Sequence, residues 1–541
     1  MNKALTIFYV LLAFSGSAQN KYLITFKDKA NSIYSIERPT EFLSPRSISR
    51  RAKQEIKLNQ QDIPVNPEYL SLLRNEGAKV LYSTKWLNGA VIEIASEDLR
   101  KILSLDFVSG MEGVYTNGLE GPNLRKSSKN NTKSYGSAVF DAGSAQNQLE
   151  MLDADKMQAR GFNGKNILIG VFDSGFSNAI NLDVFSKLYD EQRVIETYDF
   201  VNQRSNVYNA HYHGTHVLSC IAADLDGQMI GTAPGAEFLL YITENVSSET
   251  RMEEVNWLIA AERADSIGVD IITTSLGYSD FDGTEQDYTY ASLDGNTALI
   301  TRAADWAAAK GIIVVASAGN EGNGSWKYVT SPADADSIIS VGAVNALEEY
   351  VSFSSIGPTP NSRIKPEVAA KGAGTTLGSP SNSITSGNGT SYAAPLIAGL
   401  MAGLKQAFPD LTAMELREIL LESGSQAQQP DNLIGYGIPS FERAFEMANL
   451  KQLLNNTTEK LLVFPNPAES DKNIKILVTE EEAGSSFETS LTNLNGKLMY
   501  QESFKRNFFE IPLNQEVLPS GVYILKVWNE NFSETKKVFI E

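Results

Sequence analysis

Between residues 136 and 449 the chain alternates short, almost unbroken apolar runs with longer amphipathic stretches. Residues 167–172, 237–241, 269–273 and 312–316 are such runs, and strands apolar on both sides belong in a parallel sheet covered by helices. Residues 252–267 and 299–310 have helix length and spacing and supply the crossovers, so a doubly wound, mostly parallel α/β fold is expected. The region before it is patterned differently. Residues 22–26, 78–82 and 89–94 read as strands and 67–76 and 96–105 as helices, the second started by Ser96 and Asp98, with a last short strand near Val114 and Tyr115. That order suits a small two-layer α+β unit over 19–116. Past residue 461, short alternating strands at 474–478, 489–492, 508–511 and 522–527 are punctuated by turns at 493–496 and 519–521, which predicts an all-β sandwich. Polar stretches at 117–135 and 450–460 read as the joins between the units.

A length of 541 residues fits several domains. The formal net charge of -19 argues against a nucleic-acid partner, which would need a basic face to displace counterions. With one cysteine, Cys220, no internal disulfide framework can form. At the start, Lys3, the apolar stretch 4–14 and Gly16-Ser17-Ala18 make a signal-peptide pattern over 1–18, with cleavage expected after Ala18. The apolar stretch is about half of the roughly 20 residues that span a bilayer, and no later run is long enough, so a secreted chain without a transmembrane anchor is expected.

All three histidines fall in one hexapeptide, His211-Tyr212-His213-Gly214-Thr215-His216, between Asp173-Ser174-Gly175 and a distant Gly389-Thr390-Ser391. Aspartate, histidine and serine in small-residue settings beside apolar runs are the parts of a serine nucleophile, its base and the base's orienter. Asp173 ends a buried run, where open α/β sheets place ligands. His213 opens a helical stretch. Ser391 opens a longer one, whose dipole and exposed N–H groups favour a developing oxyanion. Asn320, in Ala318-Gly319-Asn320, follows another buried run and can aim its amide at the same charge. Other readings stand beside these: a helix-capping serine, a turn asparagine, a strand-end aspartate acting as a cap, or a metal held by His211, His213 and His216. Cys220, on the helix after His213, reads as a small core residue rather than a reactive thiol.

The four motifs together resemble those of the subtilisin-like serine proteases, or subtilases, in the family's chain order. The resemblance implies that Asp173, His213 and Ser391 are the triad and that Asn320 and the Ser391 N–H form the oxyanion hole. It makes Ser275-Leu276-Gly277 the edge that pairs with an extended peptide and Ala316 to Gly319 a wall of the primary specificity pocket, where the lack of acidic residues points to an apolar preference. The chain departs from the family at Leu218-Ser219, where a small pair is usual, and in an inserted segment, 278–297. That insert carries Asp280, Asp282, Glu285, Asp287 and Asp294, so a structural calcium or a solvated acidic loop is expected, with no cofactor needed for chemistry. Residues 19–116 stand where the family has its propeptide. Residues 461–541, with Pro465-Asn466-Pro467 and a late Gly521-Val522-Tyr523 strand, resemble the C-terminal sorting domain of type IX secretion in Bacteroidetes. The expectation is a secreted or surface-attached endopeptidase made as a preproenzyme, whose partners are peptide substrates, its own propeptide and the secretion machinery. Two rivals are a catalytically dead, surface-displayed binding protein on the same scaffold and a processing protease with one dedicated substrate.

Overall fold

Strand β1 (Gln19–Phe26) sorts its side chains by the two-residue period of a pleated strand. The computed structural model describes residues 19–115, 142–469, 473–479, 486–505, 508–513 and 518–541, so the expected signal segment 1–18 and join 117–135 lie outside the described residues. Helices α1 (Pro45–Lys53) and α2 (Pro67–Asn75), strands β2 (Lys79–Thr84) and β3 (Gly89–Ala95), helix α3 (Leu99–Leu103) and strand β4 (Val108–Tyr115) follow. The strands form an antiparallel sheet in the order β2-β3-β1-β4. Tyr22, Ile24, Ala90 and Ile92 fill the unit's own core with Leu73 and Ile102 of its helices. Leu23 and Val91, one step along, join Trp86 and Tyr115 in a core shared with the following region. Helix α3 is shorter than its sequence pattern, because Asp98 makes no capping bond. Helix α1 is absent from the sequence reading, since Arg46, Arg50, Arg51 and Lys53 give it no apolar stripe.

The next region opens with short helices α4 (Gln146–Glu150) and α5 (Ala154–Ala159). Then come β5 (Leu168–Asp173), α6 (Ser186–Asp190), β6 (Val194–Asp199), α7 (His213–Ala222), and a two-residue pair, β7 (Asp224–Leu225) and β8 (Met229–Ile230). Strand β9 (Glu237–Ile242), α8 (Met252–Ile267), β10 (Ile271–Thr274), α9 (Leu299–Ala309), β11 (Ile313–Ser317), β12 (Ile339–Val344) and β13 (Val368–Lys371) complete the winding. The seven-stranded sheet has the order β13-β12-β11-β10-β5-β9-β6, and its pairings are parallel. Its order reverses at β5, whose neighbours are β9 and β10, so the crevice at the carboxyl end of β5 is the switch point. A hairpin, β14 (Thr375–Ser379) and β15 (Ser383–Gly387), leads into α10 (Thr390–Ala407), followed by α11 (Ala413–Glu422) and α12 (Phe441–Asn456). Much of the join expected at 450–460 is therefore helix, the last turns of α12.

The chain divides into two compact units, one ending at Ala448 and one from Asn449 to Glu541. In the second, β16 (Leu461–Phe464), β17 (Ile474–Val478), β18 (Phe487–Asn493), β19 (Leu498–Phe504), β20 (Phe508–Ile511), β21 (Gly521–Trp528) and β22 (Ser533–Ile540) form two antiparallel sheets, β16-β17-β20 and β19-β18-β21-β22. Ile476 and Phe509 of one meet Leu491, Leu525 and Val538 of the other in a single core, which is the sandwich the alternation predicts.

Candidate active site

Three neighbouring strands deliver the expected residues to one edge. Thr274 of β10 is in register with Phe172 of β5 and Ala316 of β11, so Asp173, Ser275 and the turn after Ser317 stand side by side at the carboxyl end of the sheet. Asp173 is fully buried and accepts from His213 Nδ1 at 2.9 and 3.0 Å, one bond to each carboxylate oxygen. The Ser174 N–H also donates to its Oδ1, at 2.7 Å. His213 reaches it because Gly214 lets the start of α7 press against the end of β5. A Cβ on Gly214 would sit 2.5 Å from the Gly175 carbonyl oxygen and 3.0 Å from Asp173 Cβ.

Ser391 is the second residue of α10 and 8% exposed. Its surroundings follow from Pro395. A proline inside a helix has no N–H for the carbonyl four residues back, which here is that of Ser391. The Ser275 hydroxyl donates to that carbonyl instead, at 2.8 Å, and the Ser391 hydroxyl donates to the Ser275 carbonyl at 3.3 Å. The bond expected between Ser391 and His213 is not formed in this structure. The two are neighbours through Tyr392, whose ring centre lies 5.8 Å from that of His213. Asn320 is exposed and held by its carbonyl: Oδ1 accepts from Thr390 N at 2.9 Å and from Thr390 Oγ1 at 3.1 Å, which leaves Nδ2 as the amide's unengaged end. The Leu276 and Gly277 backbone groups have no partner among the described residues, as a peptide-pairing edge requires. Leu276 and Ala316 are buried and Gly319 is half-buried beside this edge.

The electrostatics favour a charged His213. Burial opposes the imidazolium, but the Asp173 charge and hydrogen bond outweigh it, and Glu244 adds to them, so its pKa stands above the ordinary 6.5. Glu244, just past the end of β9, was not marked by any motif. Burial, then the nearby Asp173 charge, push its carboxyl up to about 7. His216 is pushed down to about 4 by burial and by His213. The three imidazoles have separate partners: His213 on Asp173, His211 on Ser174 Oγ at 3.0 Å, His216 near Tyr392 Oη at 3.4 Å. Among the described residues no group of three His, Cys, Asp or Glu side chains is arranged to hold a metal. In the insert, Asp282 binds the Glu249 N–H, Asp287 the Phe281 N–H and Asp294 those of Asn296 and Thr297, so these carboxylates tie turns. Cys220 is fully buried, and burial pushes its thiol pKa up, away from reactivity.

Residues 164–437 match the sequence model of the subtilase family. Subtilisin DY of Bacillus licheniformis is 34% identical over 275 residues, which cover 50% of this chain and 88% of that protein. The chain belongs to the subtilase family. Subtilisin NAT of Bacillus subtilis subsp. natto is 32% identical over 277 residues, covering 50% of this chain and 64% of its own. The solved structure of MycP1 with its N-terminal propeptide removed aligns at 22% identity and a TM-score of 0.45, over 55% of this chain and 96% of that one. Residues 21–134 match the Peptidase S8 propeptide domain of Bacteroidota, and residues 462–541 match the secretion system C-terminal sorting domain. This subtilase is thus a serine endopeptidase made with a propeptide and carrying a sorting domain that directs it to the cell surface or beyond. No helix among its described residues is long and apolar enough to cross a membrane.

Proposed function

We propose that Ser391 is the nucleophile, His213 its general base and then acid, Asp173 the orienter of His213, and Asn320 with the Ser391 N–H the oxyanion hole. The observation that carries this is the buried Asp173 carboxylate engaging His213 Nδ1 beside the start of α10. With Nδ1–H held by Asp173, Nε2 is the ring nitrogen left to accept a proton. An extended peptide adds to the Leu276-Gly277 edge through main-chain hydrogen bonds, which any sequence offers, with an apolar side chain beside Ala316 and Gly319. Forming the Ser391–His213 bond takes the serine hydroxyl off the Ser275 carbonyl. Ser391 Oγ then attacks the scissile carbonyl carbon as its proton passes to His213 Nε2. Asn320 Nδ2 and the Ser391 N–H receive the oxyanion, and collapse breaks the C–N bond as His213 protonates the leaving amine. Water, deprotonated by His213, attacks the ester carbonyl and frees Ser391 and the acid. Calcium is assigned no site and no step. The propeptide is assigned to 19–116, the protease to 136–449 and the sorting domain to 461–541.

Fluorophosphonate labelling with intact mass tests the reading. The secreted chain is expected to label at Ser391 and to lose its propeptide, and a Ser391→Ala chain to do neither; a wild-type chain that stays unlabelled refutes it. Asn320→Ala is expected to lower kcat by about 10² to 10³ with little change in KM, a magnitude taken from subtilisin itself.

A further inference from the structure

Residues 27–66 of the propeptide, which lie between β1 and α2, grip the opposite edge of the sheet from the candidate site. Arg46 bonds Glu237 at the start of β9 (3.0 Å), Asp270 just before β10 (2.5 Å) and the Asn166 carbonyl before β5 (2.7 Å). Gln54 bonds the Gly311 carbonyl before β11 (2.9 Å) and accepts from the Ala413 N–H at the start of α11 (2.8 Å). These are amino ends of strands, whereas Asp173, Ser275 and Asn320 stand at carboxyl ends.

The same arm closes the end of α8. That helix stops at Gly268, with φ +102°, and its last carbonyls lack helical donors. Ser44 supplies both, its N–H to Ser266 O (2.9 Å) and its hydroxyl to Ile267 O (2.6 Å), while Arg50 donates to Val269 O and Lys310 O. Asp265, on the last turn of α8 and 0% exposed, collects Arg50 (2.6 Å), Arg51 (2.9 Å) and Lys85 (3.0 Å), all from the propeptide. Asp62 of the arm answers Lys310 of the protease at 3.2 Å and also holds Arg51 at 3.0 Å. Burial disfavours the Asp265 charge, but these cations overcome it and hold its carboxyl well below the usual range. On the protease side the contact is made of carboxylates, one ammonium, the Ala413 N–H and backbone carbonyls at helix ends and just before strands, groups that water satisfies once the arm leaves.

We propose that residues 27–66 are a second anchor, separate from the catalytic cleft, that keeps the cut propeptide on the protease and sets how long it stays inhibited. The anchor rests on the family assignment of the propeptide and not on the catalytic roles given above. The test therefore uses full-length Ser391→Ala chains with a site-specific protease sequence inserted between residues 117 and 135, cut by that added protease. Release of the cut propeptide is followed by size exclusion and by a fluorescent label, with and without Arg50→Ala plus Arg51→Ala. Release is expected to quicken about 100-fold, the scale for removing one side of a buried charged contact, and to depend more on salt in the unaltered chain. Arg46→Ala, at a partly exposed pair, is expected to quicken it about tenfold and decides the matter alone if the double variant does not fold. Release at the unaltered rate in the folded variants overturns the anchor, whatever Ser391 does.

Discussion

At the scale of single residues, two side chains outside the motifs shape the site. Ser275 supplies the donor that Pro395 denies the Ser391 carbonyl, so Ser275→Ala leaves a buried carbonyl unpaired. That substitution is expected to lower stability by about 1–3 kcal/mol and to lower kcat as the start of α10 loosens, read by thermal unfolding and steady-state kinetics. Glu244, with its own carboxyl pushed up to about 7, adds negative charge near His213 as it ionises around neutral pH. With His213 as the proposed base, activity is expected to rise with pH through the His213 pKa, which Asp173 and Glu244 lift above 6.5. Removing one lifting charge lets His213 lose its proton at lower pH, so Glu244→Gln is expected to move the acid limb of kcat/KM downward; an unmoved limb argues against the coupling. Neither role was legible in the sequence. Ser275 was marked only as part of an edge, and Glu244 becomes informative only once β9 is laid beside β5.

Among the elements, those with a strong period were read and those with a tertiary reason were not. Strands β5, β9, β10 and β11 announce themselves by apolar runs, as do α8 and α9 by length and spacing. Strands β6 and β13 are hidden because Glu196, Thr197 and Asp199 interrupt the first and the second is only four residues long and ends in Lys371. The approach of α7 to β5 depends on one missing Cβ. Gly214→Ala is expected to cost about 1–3 kcal/mol and to abolish labelling of Ser391, because the helix must move off Asp173. Helix α11 offers the contrast. Thr412 caps it through the Glu415 N–H at 3.1 Å, so Thr412→Ala is expected to lower stability by about 1 kcal/mol and leave kcat alone.

For the molecule as a whole, the C-terminal sandwich has its own core, built from Leu461 to Ile540 without residues of the protease. Ending the chain at Lys460 is therefore expected to leave kcat and the melting temperature of the protease unchanged while keeping the protein inside the cell envelope. Immunoblots of medium and cell fractions check this, and export at the normal level would refute it. The propeptide is the opposite case: Leu23, Trp86, Val91 and Tyr115 share a core with α8 and α9, so its removal uncovers apolar surface as well as the charged anchor.

What the sequence determined by itself was the family and the plan, and it marked the residues proposed for the chemistry. Asp173, His213, Asn320 and Ser391 stand in distinctive local settings, apolar runs mark strands buried on both faces, and alternation marks the sandwich, because these are signals carried by near neighbours in the chain. What only the tertiary structure decided was partnership between distant residues: Ser275 with Ser391, Glu244 with His213, and the arginines of α1 with Asp265. A charged side chain reads as solvated until the fold supplies its counter-charge, and Arg50 and Arg51 lie more than 200 residues before the carboxylate that holds them buried.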